Sequence, residues 1–290
     1  MKKLCLLLML LSLIQPAALA ESLPVYDPGV DGESMIVYDT STLKYEITEF
    51  ELQGALCYLT NIWMADPGQQ IKKATATWEQ DLAYPSDLAK KVPGAALAIN
   101  GSGYVSPVFP WIPENYPGVS EDYHYTPLGS LTITDGEIFR NLEGVPYFGL
   151  TLQSDGLHLH VGEDNETVLA GNPTQTWSFY VECPLIQDGV DILDRSWAFA
   201  NRKAIRTIIA KKDANNYVLL TVSHKQGMGL PVTTCVDFLQ EVIQPQWAYN
   251  LDGGPSSALL YRKPNWRILK VMYGNTSKDA DAMVFVELNQ

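Results

Sequence analysis

The sequence predicts an α+β fold in which mixed β-sheets are packed with few helices. Short runs rich in β-branched and aromatic residues recur along most of the chain, which is typical of strands. These runs do not alternate regularly with helical stretches, as they would in a doubly wound α/β fold. The chain has 290 residues, of which 46% are hydrophobic, so it can bury a full core as one large or two closely joined domains.

The first twenty residues have the pattern of a secretory signal peptide. Two lysines precede an apolar run over residues 4–14, and small residues lead to a cleavage site after Ala20. The apolar run is too short to span a bilayer. We therefore expect a secreted, extracellular protein without a membrane anchor. Its mature chain would start with a loose leader over residues 21–34, which is rich in proline, glycine and acids.

The chain is acidic, with 33 Asp and Glu residues against 20 Lys and Arg residues. This balance argues against nucleic acid or an anionic membrane as a partner, because both would repel it. The composition is that of a soluble extracellular protein with a full core.

Cysteine and histidine usage indicates no metal site. Cys57, Cys183 and Cys235 have spacings that match no zinc motif, and they allow at most one disulfide within the mature chain. Each is expected to pack as a small buried residue. His158 and His160 share one face of a predicted strand, but no third ligand follows at a recognisable spacing. We expect no metal and no other cofactor.

Strands are predicted from Met35 onwards. Runs typical of strands cover residues 36–38, 44–47, 56–59, 71–78, 208–211 and 217–222. Asp-Gly turns predict two hairpins, over residues 131–139 and 149–161.

Two helices are predicted. Residues 86–91 form a brief helix that Ser86 caps and Pro93 stops. A second helix follows Pro231 and is capped by Thr234. Its buried stripe has helical spacing and consists of Cys235, Phe238, Leu239 and Val242.

A buried strand is predicted over residues 95–99, which form an unbroken apolar run. Asn100 and Gly101 stand at its end, where a strand passes into a loop. The pair is either a simple turn or a place where a polar side chain enters a site. The long loop that follows, residues 103–127, carries aromatic rings that either stack on sugars or pack under the loop. These rings belong to Tyr104, Phe109, Trp111, Tyr116, Tyr123 and Tyr125.

The stretch over residues 247–257 is the strongest candidate for chemistry. In a strand its residues alternate, so one face is apolar and the other ends in Asn250 and Asp252. Gly253 and Gly254 then free the backbone for a sharp turn and a close approach to a ligand. An ordinary turn, in which the Asp bonds its own backbone, is the alternative.

Arg202 is the cation that we expect beside this glycine turn. A planar guanidinium binds phosphate or carboxylate oxygens through two hydrogen bonds at once. A single arginine is more often a solvated surface residue, so both interpretations stay open at this point.

Taken together, these stretches resemble the phosphodiester glycosidase family, secreted bacterial relatives of the lysosomal enzyme that uncovers mannose 6-phosphate. The resemblance runs from about Cys57 to Val286, and residues 249–257 carry its strongest piece, similar to the family's Asn-Leu-Asp-Gly-Gly-Gly-Ser. Four further pieces look like the family's Ala-Ile-Asn-Gly, Gly-Pro-x-Leu-x-x-Asp-Gly, Arg-Thr-Ala-Ile-Gly and Gly-Met-Thr-Leu elements, at residues 98–101, 184–189, 202–205 and 227–230. Residues 35–290 are therefore expected to form one phosphodiester glycosidase-like domain.

The chain departs from the family pattern at several motif positions. Pro255 stands at the third glycine and removes one backbone N–H from the turn. Other departures are Cys183 before Pro184, Lys203 after Arg202, Arg206 at a glycine, and Ser223-His224-Lys225 where the family has Asp-Gly-Arg. Both an altered substrate preference and a loss of activity on the usual substrates are consistent with these changes.

The resemblance implies hydrolysis of a sugar-1-phosphodiester at the anomeric carbon. Asp252 would act as nucleophile or as base for water, and Arg202 with the turn would hold the phosphate. Asn100 and Asn250 would bond sugar hydroxyls or orient Asp252. The residues assigned to catalysis are Asp252, Arg202 and Asn100. Those assigned to substrate binding are Asn250, Gly101, Gly253, Gly254, Ser256 and Ser257.

Two alternatives belong to other functional classes. A catalytically silent protein of this fold would bind glycan without chemistry. A phosphodiesterase with a similar site would cut the P–O bond instead of the glycosidic bond. In each case the expected ligand is a phosphodiester-linked glycan or a sugar-1-phosphate ester.

Overall fold

The computed structural model describes residues 30–76, 81–105, 126–224 and 228–288. The predicted signal peptide, Trp78 and the aromatic residues between Phe109 and Tyr125 lie outside these ranges. Within them, no helix is long and apolar enough to cross a membrane.

Strands dominate the described residues. They are β1 (Glu33–Asp39), β2 (Leu43–Leu52), β3 (Ala55–Met64), β4 (Ile71–Thr75), β5 (Ala95–Asn100), β6 (Tyr104–Val105), β7 (Thr126–Pro127), β8 (Leu131–Thr134), β9 (Glu137–Asn141), β10 (Tyr147–Gln153), β11 (Gly156–Glu163), β12 (Gln175–Ser178), β13 (Pro184–Gln187), β14 (Val190–Asp191), β15 (Arg206–Lys211), β16 (Asn216–Val222), β17 (Trp247–Asn250), β18 (Ala258–Tyr261), β19 (Lys270–Gly274) and β20 (Asp281–Val286). The helices are α1 (Pro67–Gln70), α2 (Pro85–Ala89), α3 (Asn165–Ala170) and α4 (Val232–Phe238), with a π-helical segment at Leu239–Ile243 and a 3₁₀ turn at Gly254–Ser256.

Two sheets form the body of the fold. The large sheet has the strand order β1-β2-β3-β16-β15-β17-β13-β14, and the small sheet has the order β19-β18-β5-β20-β4. A three-stranded sheet, β11-β10-β12, lies beside them. All pairings recorded between described strands are antiparallel. The predicted α+β class with few helices is confirmed, while the sheets predicted to be mixed are antiparallel in these pairings.

The central core lies between the large and small sheets. Side chains of both sheets meet there, such as Ile209 and Tyr249 from the large sheet and Leu97 and Ile99 from the small one. Trp177 of the three-stranded sheet joins the same cluster. Because apolar area leaves water on both inner faces, this layer is the main source of stability.

The outer face of each main sheet is also covered. Successive residues of β15 and β17 alternate, so Ala210 and Ala248 face a second cluster formed with α4 and the π-helical segment. The outer face of the small sheet packs against α2. Strand β5 is consequently buried on both faces, with Ile99 in the central core and Ala98 in the outer cluster. This confirms the prediction from its unbroken apolar run.

The predicted hairpins form, as β8-β9 and β10-β11, but both predicted helix caps are wrong. Helix α2 starts at Pro85 with Tyr84 as N-cap, and Ser86 lies inside it. Proline suits the first helical position because its φ is preset and no N–H is needed there. Helix α4 follows Pro231, and the Thr234 hydroxyl donates to Gln53 instead of capping.

The predicted packing of the three cysteines is confirmed, since Cys57, Cys183 and Cys235 are free and buried. Burial raises the pKa of each thiol. They are inert parts of the core, because the thiolate is the reactive form.

A buried ion pair lies within the small sheet, and its lysine also bonds to the three-stranded sheet. Lys73 Nζ lies 3.2 Å from Asp281 Oδ2, and both side chains are almost fully buried. The same ammonium donates to the Thr176 carbonyl at 2.6 Å, and the Ser102 N–H donates to Asp281 Oδ1 at 2.8 Å. The pair is therefore compensated by hydrogen bonds on both sides, as buried charges require.

Replacing Lys73 with Met should lower the free energy of unfolding by about 3 kcal/mol or more, because the buried Asp281 carboxylate loses its partner. Urea denaturation at pH 7.5 measures this. The matched control is Lys90→Met, since Lys90 pairs with Asp87 in solvent and should change stability by less than about 1 kcal/mol. Equal effects of the two substitutions would contradict the assignment.

Candidate active site

Asn100 and Asp252 meet where two strands of different sheets end. Asn100 ends β5 of the small sheet, and Asp252 follows β17 of the large sheet. The Asn100 Nδ2 donates to the Asp252 carbonyl at 2.8 Å, and the Asp252 N–H donates to the Gly101 carbonyl at 3.1 Å. The structure thus brings together the two stretches that the sequence marked as candidates.

The Asn100 side chain is fully buried and bonded on both ends of its amide. Its Oδ1 accepts from the Thr207 hydroxyl at 2.8 Å and from the Ala258 N–H at 3.1 Å. It therefore positions the backbone around Asp252 from within the protein. No solvent-exposed part of this amide is left to contact a sugar.

The Asp252 carboxyl is half-buried at this junction. Its Oδ1 accepts from the Gly253 N–H at 2.7 Å, and the Ser256 side chain also bonds to the carboxylate. The pKa of Asp252 is raised to about 6, mainly by burial and also by the negative charge of Asp281, while the bonds from Gly253 and Ser256 oppose the rise. The group therefore changes its charge close to neutral pH.

Asp279 is a second carboxyl at the site, which sequence reasoning missed. It is fully buried, accepts from the Ala280 N–H at 2.7 Å, and also accepts from the Gly101 N–H. Its Oδ2 has no hydrogen-bond partner among the described residues. Burial raises the pKa of Asp279 well above its usual range, and the charges of Asp252 and Asp281 add to this. Burial and the neighbouring charges therefore favour the protonated form of Asp279.

The glycine turn is shaped by a neighbouring carbonyl. Gly254 has φ of +60°, which favours glycine, and its N–H donates to the Ile205 carbonyl at 3.1 Å. A Cβ at Gly253 would lie 2.9 Å from the same carbonyl oxygen. Both turn N–H groups assigned to phosphate are thus bonded inside the protein, that of Gly253 to Asp252 itself. Pro255 is exposed at the tip of the turn.

The other predicted binding residues lie at different depths. Gly101 is buried beside Asp281, and a Cβ there would overlap the Asp281 carboxylate. Ser257 is buried, and its hydroxyl has no partner within the described part of the chain. Asn250 is fully buried, with its Nδ2 donating to the Leu251 carbonyl at 2.9 Å and contacting Cys183 Sγ at 3.8 Å.

Arg202 is exposed on the loop that leads into β15, three residues before Ile205. Its guanidinium carbon lies 5.7 Å from the centre of the Phe199 ring. The buried Arg206 fixes this loop, because its guanidinium donates to the carbonyls of Phe199 at 3.1 Å and Arg202 at 2.8 Å. The same loop continues to Ile205, whose carbonyl accepts the Gly254 N–H of the glycine turn at 3.1 Å.

His224 and Tyr273 form a second feature that the sequence did not predict. His224 is exposed just after β16, and its Nδ1 lies 2.6 Å from the Tyr273 hydroxyl. The His224 N–H donates to the same oxygen at 3.1 Å. Strand β16 pairs with β15, and Val222 at the end of β16 lies opposite Arg206 at the start of β15. The His224 imidazole therefore lies at the end of the large sheet where β17 leads into Asp252.

No group of three or more metal-binding side chains with suitable geometry occurs in residues 30–76, 81–105, 126–224 and 228–288. The two strand histidines have other partners. His158 pairs with Asp155 at 2.6 Å, and His160 pairs with Glu163 at 2.9 Å.

The contribution of Asp252 to stability should fall as the pH rises from about 4 to above 6. A carboxyl with a raised pKa binds its proton more tightly in the folded state, so its contribution is present below its unfolded pKa and is lost on ionisation. Asp252→Asn removes this loss and should raise the free energy of unfolding at pH 7.5 by about 2 kcal/mol, with a flatter pH profile. Thermal and urea unfolding between pH 4 and 8 measures this, with Asp87→Asn as an exposed control. Lower stability of Asp252→Asn at pH 7.5 would contradict it.

The fold is similar to two solved structures. The catalytic domain of zebrafish N-acetylglucosamine-1-phosphodiester alpha-N-acetylglucosaminidase, auto-inhibited by its pro-peptide, has a TM-score of 0.62 at 15% identity, covering 89% of each chain. A hypothetical protein from Synechocystis has a TM-score of 0.53 at 14% identity, covering 92% of this chain and 65% of the other. At these identities the likeness shows the fold alone.

Sequence comparison gives the family. No curated protein sequence matches the chain significantly. The family model described as phosphodiester glycosidase matches residues 94–286, which are more than half of the chain. This range starts just before β5 and ends with β20, so it contains Asn100, Arg202, Asp252 and Asp279. The chain belongs to the phosphodiester glycosidase family.

Proposed function

We propose that this protein is a secreted glycoside hydrolase that cleaves the glycosidic bond of sugar-1-phosphodiesters. The observation that carries the proposal is the half-buried Asp252 carboxyl, held by the Asn100 and Gly101 junction beside the loop of Arg202. Family membership supports a phosphodiester-linked sugar as the substrate class. Secretion rests on the signal pattern of residues 1–20.

The reaction needs one activated carboxylate. A phosphate monoester is a weak base and leaves readily, so it needs less help from a general acid than an alcohol does. Asp252 then acts at the anomeric carbon, either as the nucleophile or as the base for water. The stereochemistry of the released sugar decides between these two roles.

The leaving phosphate needs a positive partner, and Arg202 is suited to it. Its exposed guanidinium makes no ion pair with a described residue and rests on the Phe199 ring, which leaves its N–H edge for oxygens. The turn N–H groups of Gly253 and Gly254 are engaged within the protein, and Pro255 has none. Phosphate binding at this site therefore depends on side chains more than on backbone donors.

The occupied turn also favours a second candidate, a catalytically silent carbohydrate-binding protein. Without free backbone donors, charge that develops on the phosphate is stabilised less than in a complete turn. Glycan binding without release of sugar or phosphate would select this candidate. A phosphodiesterase differs in the bond cut, and labelled water then enters the phosphate instead of the sugar.

Asp252→Asn should reduce release of sugar from a sugar-1-phosphate ester by roughly 10³-fold or more, because the carboxylate acts on the reacting carbon. Sugar and phosphomonoester are quantified in the same assay. The isosteric control Asp87→Asn, on the exposed α2 surface, should keep full activity. Undiminished turnover by Asp252→Asn would rule out the assignment.

The value of kcat/KM should rise with pH through about 6 and then level off, because either role of Asp252 needs the ionised carboxylate. Values of kcat/KM measured between pH 4.5 and 8 in buffers of constant ionic strength show whether this rise occurs. A rate that is flat or falls through pH 6 would place the essential ionisation on another group.

Arg202→Gln should weaken phosphodiester binding and lower kcat/KM by about tenfold or more, because a charge-assisted bond to phosphate is lost. Arg202→Lys should restore part of the loss, since the point charge returns without the bidentate fork. Arg267→Gln removes an exposed arginine outside the site and serves as the control. Equal rates for Arg202→Gln and Arg267→Gln would exclude Arg202 from phosphate binding.

A further inference from the structure

Beyond Arg202, four aromatic side chains form a continuous surface, named here the aromatic platform. They are Phe179, Tyr180, Trp197 and Phe199. Phe179 and Tyr180 have ring centres 4.3 Å apart, and the Tyr180 and Phe199 rings are parallel within 3° at 6.5 Å. Phe199 is 41% exposed. The four rings contact one another in stacked, tilted and edge-on pairs, so they form one connected aromatic surface.

A cavity of about 360 Å³ opens beside the platform. Phe179 and Tyr180 line it together with Phe148, and Arg140 and Glu182 supply charged groups to its wall. Its volume falls within the range of small-molecule sites, roughly 300 to 1,000 Å³. Flat rings combined with a few hydrogen-bonding groups match a sugar ring, which has an apolar C–H face and a rim of hydroxyls.

The platform is continuous with the candidate active site at both ends. At one end, Phe199 carries the Arg202 guanidinium on its ring. At the other, the backbone before Phe179 is bonded to the loop after β5, because the Gly103 N–H donates to the Ser178 carbonyl at 2.9 Å. A ligand on the platform would therefore reach the side of the site where Arg202 holds the phosphate.

We infer that the aromatic platform and its cavity bind sugar rings on the far side of the phosphate, in the leaving group of the substrate. The inference rests on the proposed function for its orientation, since it takes Arg202 as the phosphate partner. It commits the protein to substrates whose phosphate joins two glycan units. Specificity for the leaving group would then come from ring stacking and from Arg140 and Glu182 in the cavity wall.

The test distinguishes stacking on a flat aromatic ring from general apolar contact. Phe199→Leu and Tyr180→Leu keep apolar volume but remove the stacking face. Binding of neutral tetrasaccharides of glucose and of N-acetylglucosamine is measured by calorimetry, which needs no turnover. We expect each variant to bind the tetrasaccharide that wild type prefers about fivefold to tenfold more weakly. Trp266→Leu removes a partly exposed ring from the loop before β19 and should leave binding unchanged.

Turnover rates test whether the leaving group of the substrate lies on the aromatic platform. The ratio of kcat/KM for a glycan-phosphate-sugar substrate to that for a methyl phosphate ester of the same sugar should fall about tenfold in Phe199→Leu, and Phe199→Tyr should restore it. If wild type binds tetrasaccharides and turns over neither ester, the proposed function fails while the platform stands. If no tetrasaccharide binds, or if Phe199→Leu binds as wild type does, the inference is overturned. Binding of a polyprenyl phosphate in micelles that survives Phe199→Leu would assign the surface to lipid instead.

Discussion

The Asn100 side chain is the single contact on which the geometry of the site depends. One amide holds the Asp252 carbonyl, the Thr207 hydroxyl and the Ala258 N–H, which lie on three segments of two sheets. Much of the remaining contact between the two sheets is made by apolar side chains, which pack without strong direction. A buried hydrogen-bonded amide is directional, and leaving any of its partners unpaired is costly. The position of Asp252 therefore follows from this junction more than from the turn behind it.

Charge at the site is arranged unevenly around this junction. Three aspartates lie close together, and the only cation bonded to them among the described residues is Lys73, which is paired with Asp281. Burial is the main cause that raises the pKa of both Asp252 and Asp279; the charge of Asp281 adds to the rise at each, and the charge of Asp252 adds to it at Asp279. Asp279 is the more deeply buried of the two, which favours its protonated form, whereas Asp252 is partly exposed and its pKa is raised less far. Depth of burial is the main difference between these two residues of the same type.

Much of the fold follows from local patterns, while the details of the site do not. The unbroken run before Asn100 and the alternation along β17 predicted which residues are buried, because side-chain period and burial are properties of single strands. The caps at Ser86 and Thr234 were predicted from residue type, but α2 starts with Pro85 at its first position and α4 starts after Pro231 as N-cap. Asp279 could not be found in this way, because it reaches Asp252 through pairing between strands far apart in sequence. The same holds for the Ile205 carbonyl that occupies the Gly254 N–H.

Arg206 replaces a glycine of the family pattern and links two parts of the molecule. Its buried guanidinium donates to the carbonyls of Phe199 and Arg202. One side chain therefore fixes the backbone that carries both the Phe199 ring and the Arg202 guanidinium. Loop exchange between relatives, a common route to new enzyme specificity, would fail here if residues 197–203 were transplanted alone. Residues 197–203 and Arg206 would have to be transferred together. In a recipient protein with glycine at the position of Arg206, the loop would lack the hydrogen bonds that fix its conformation.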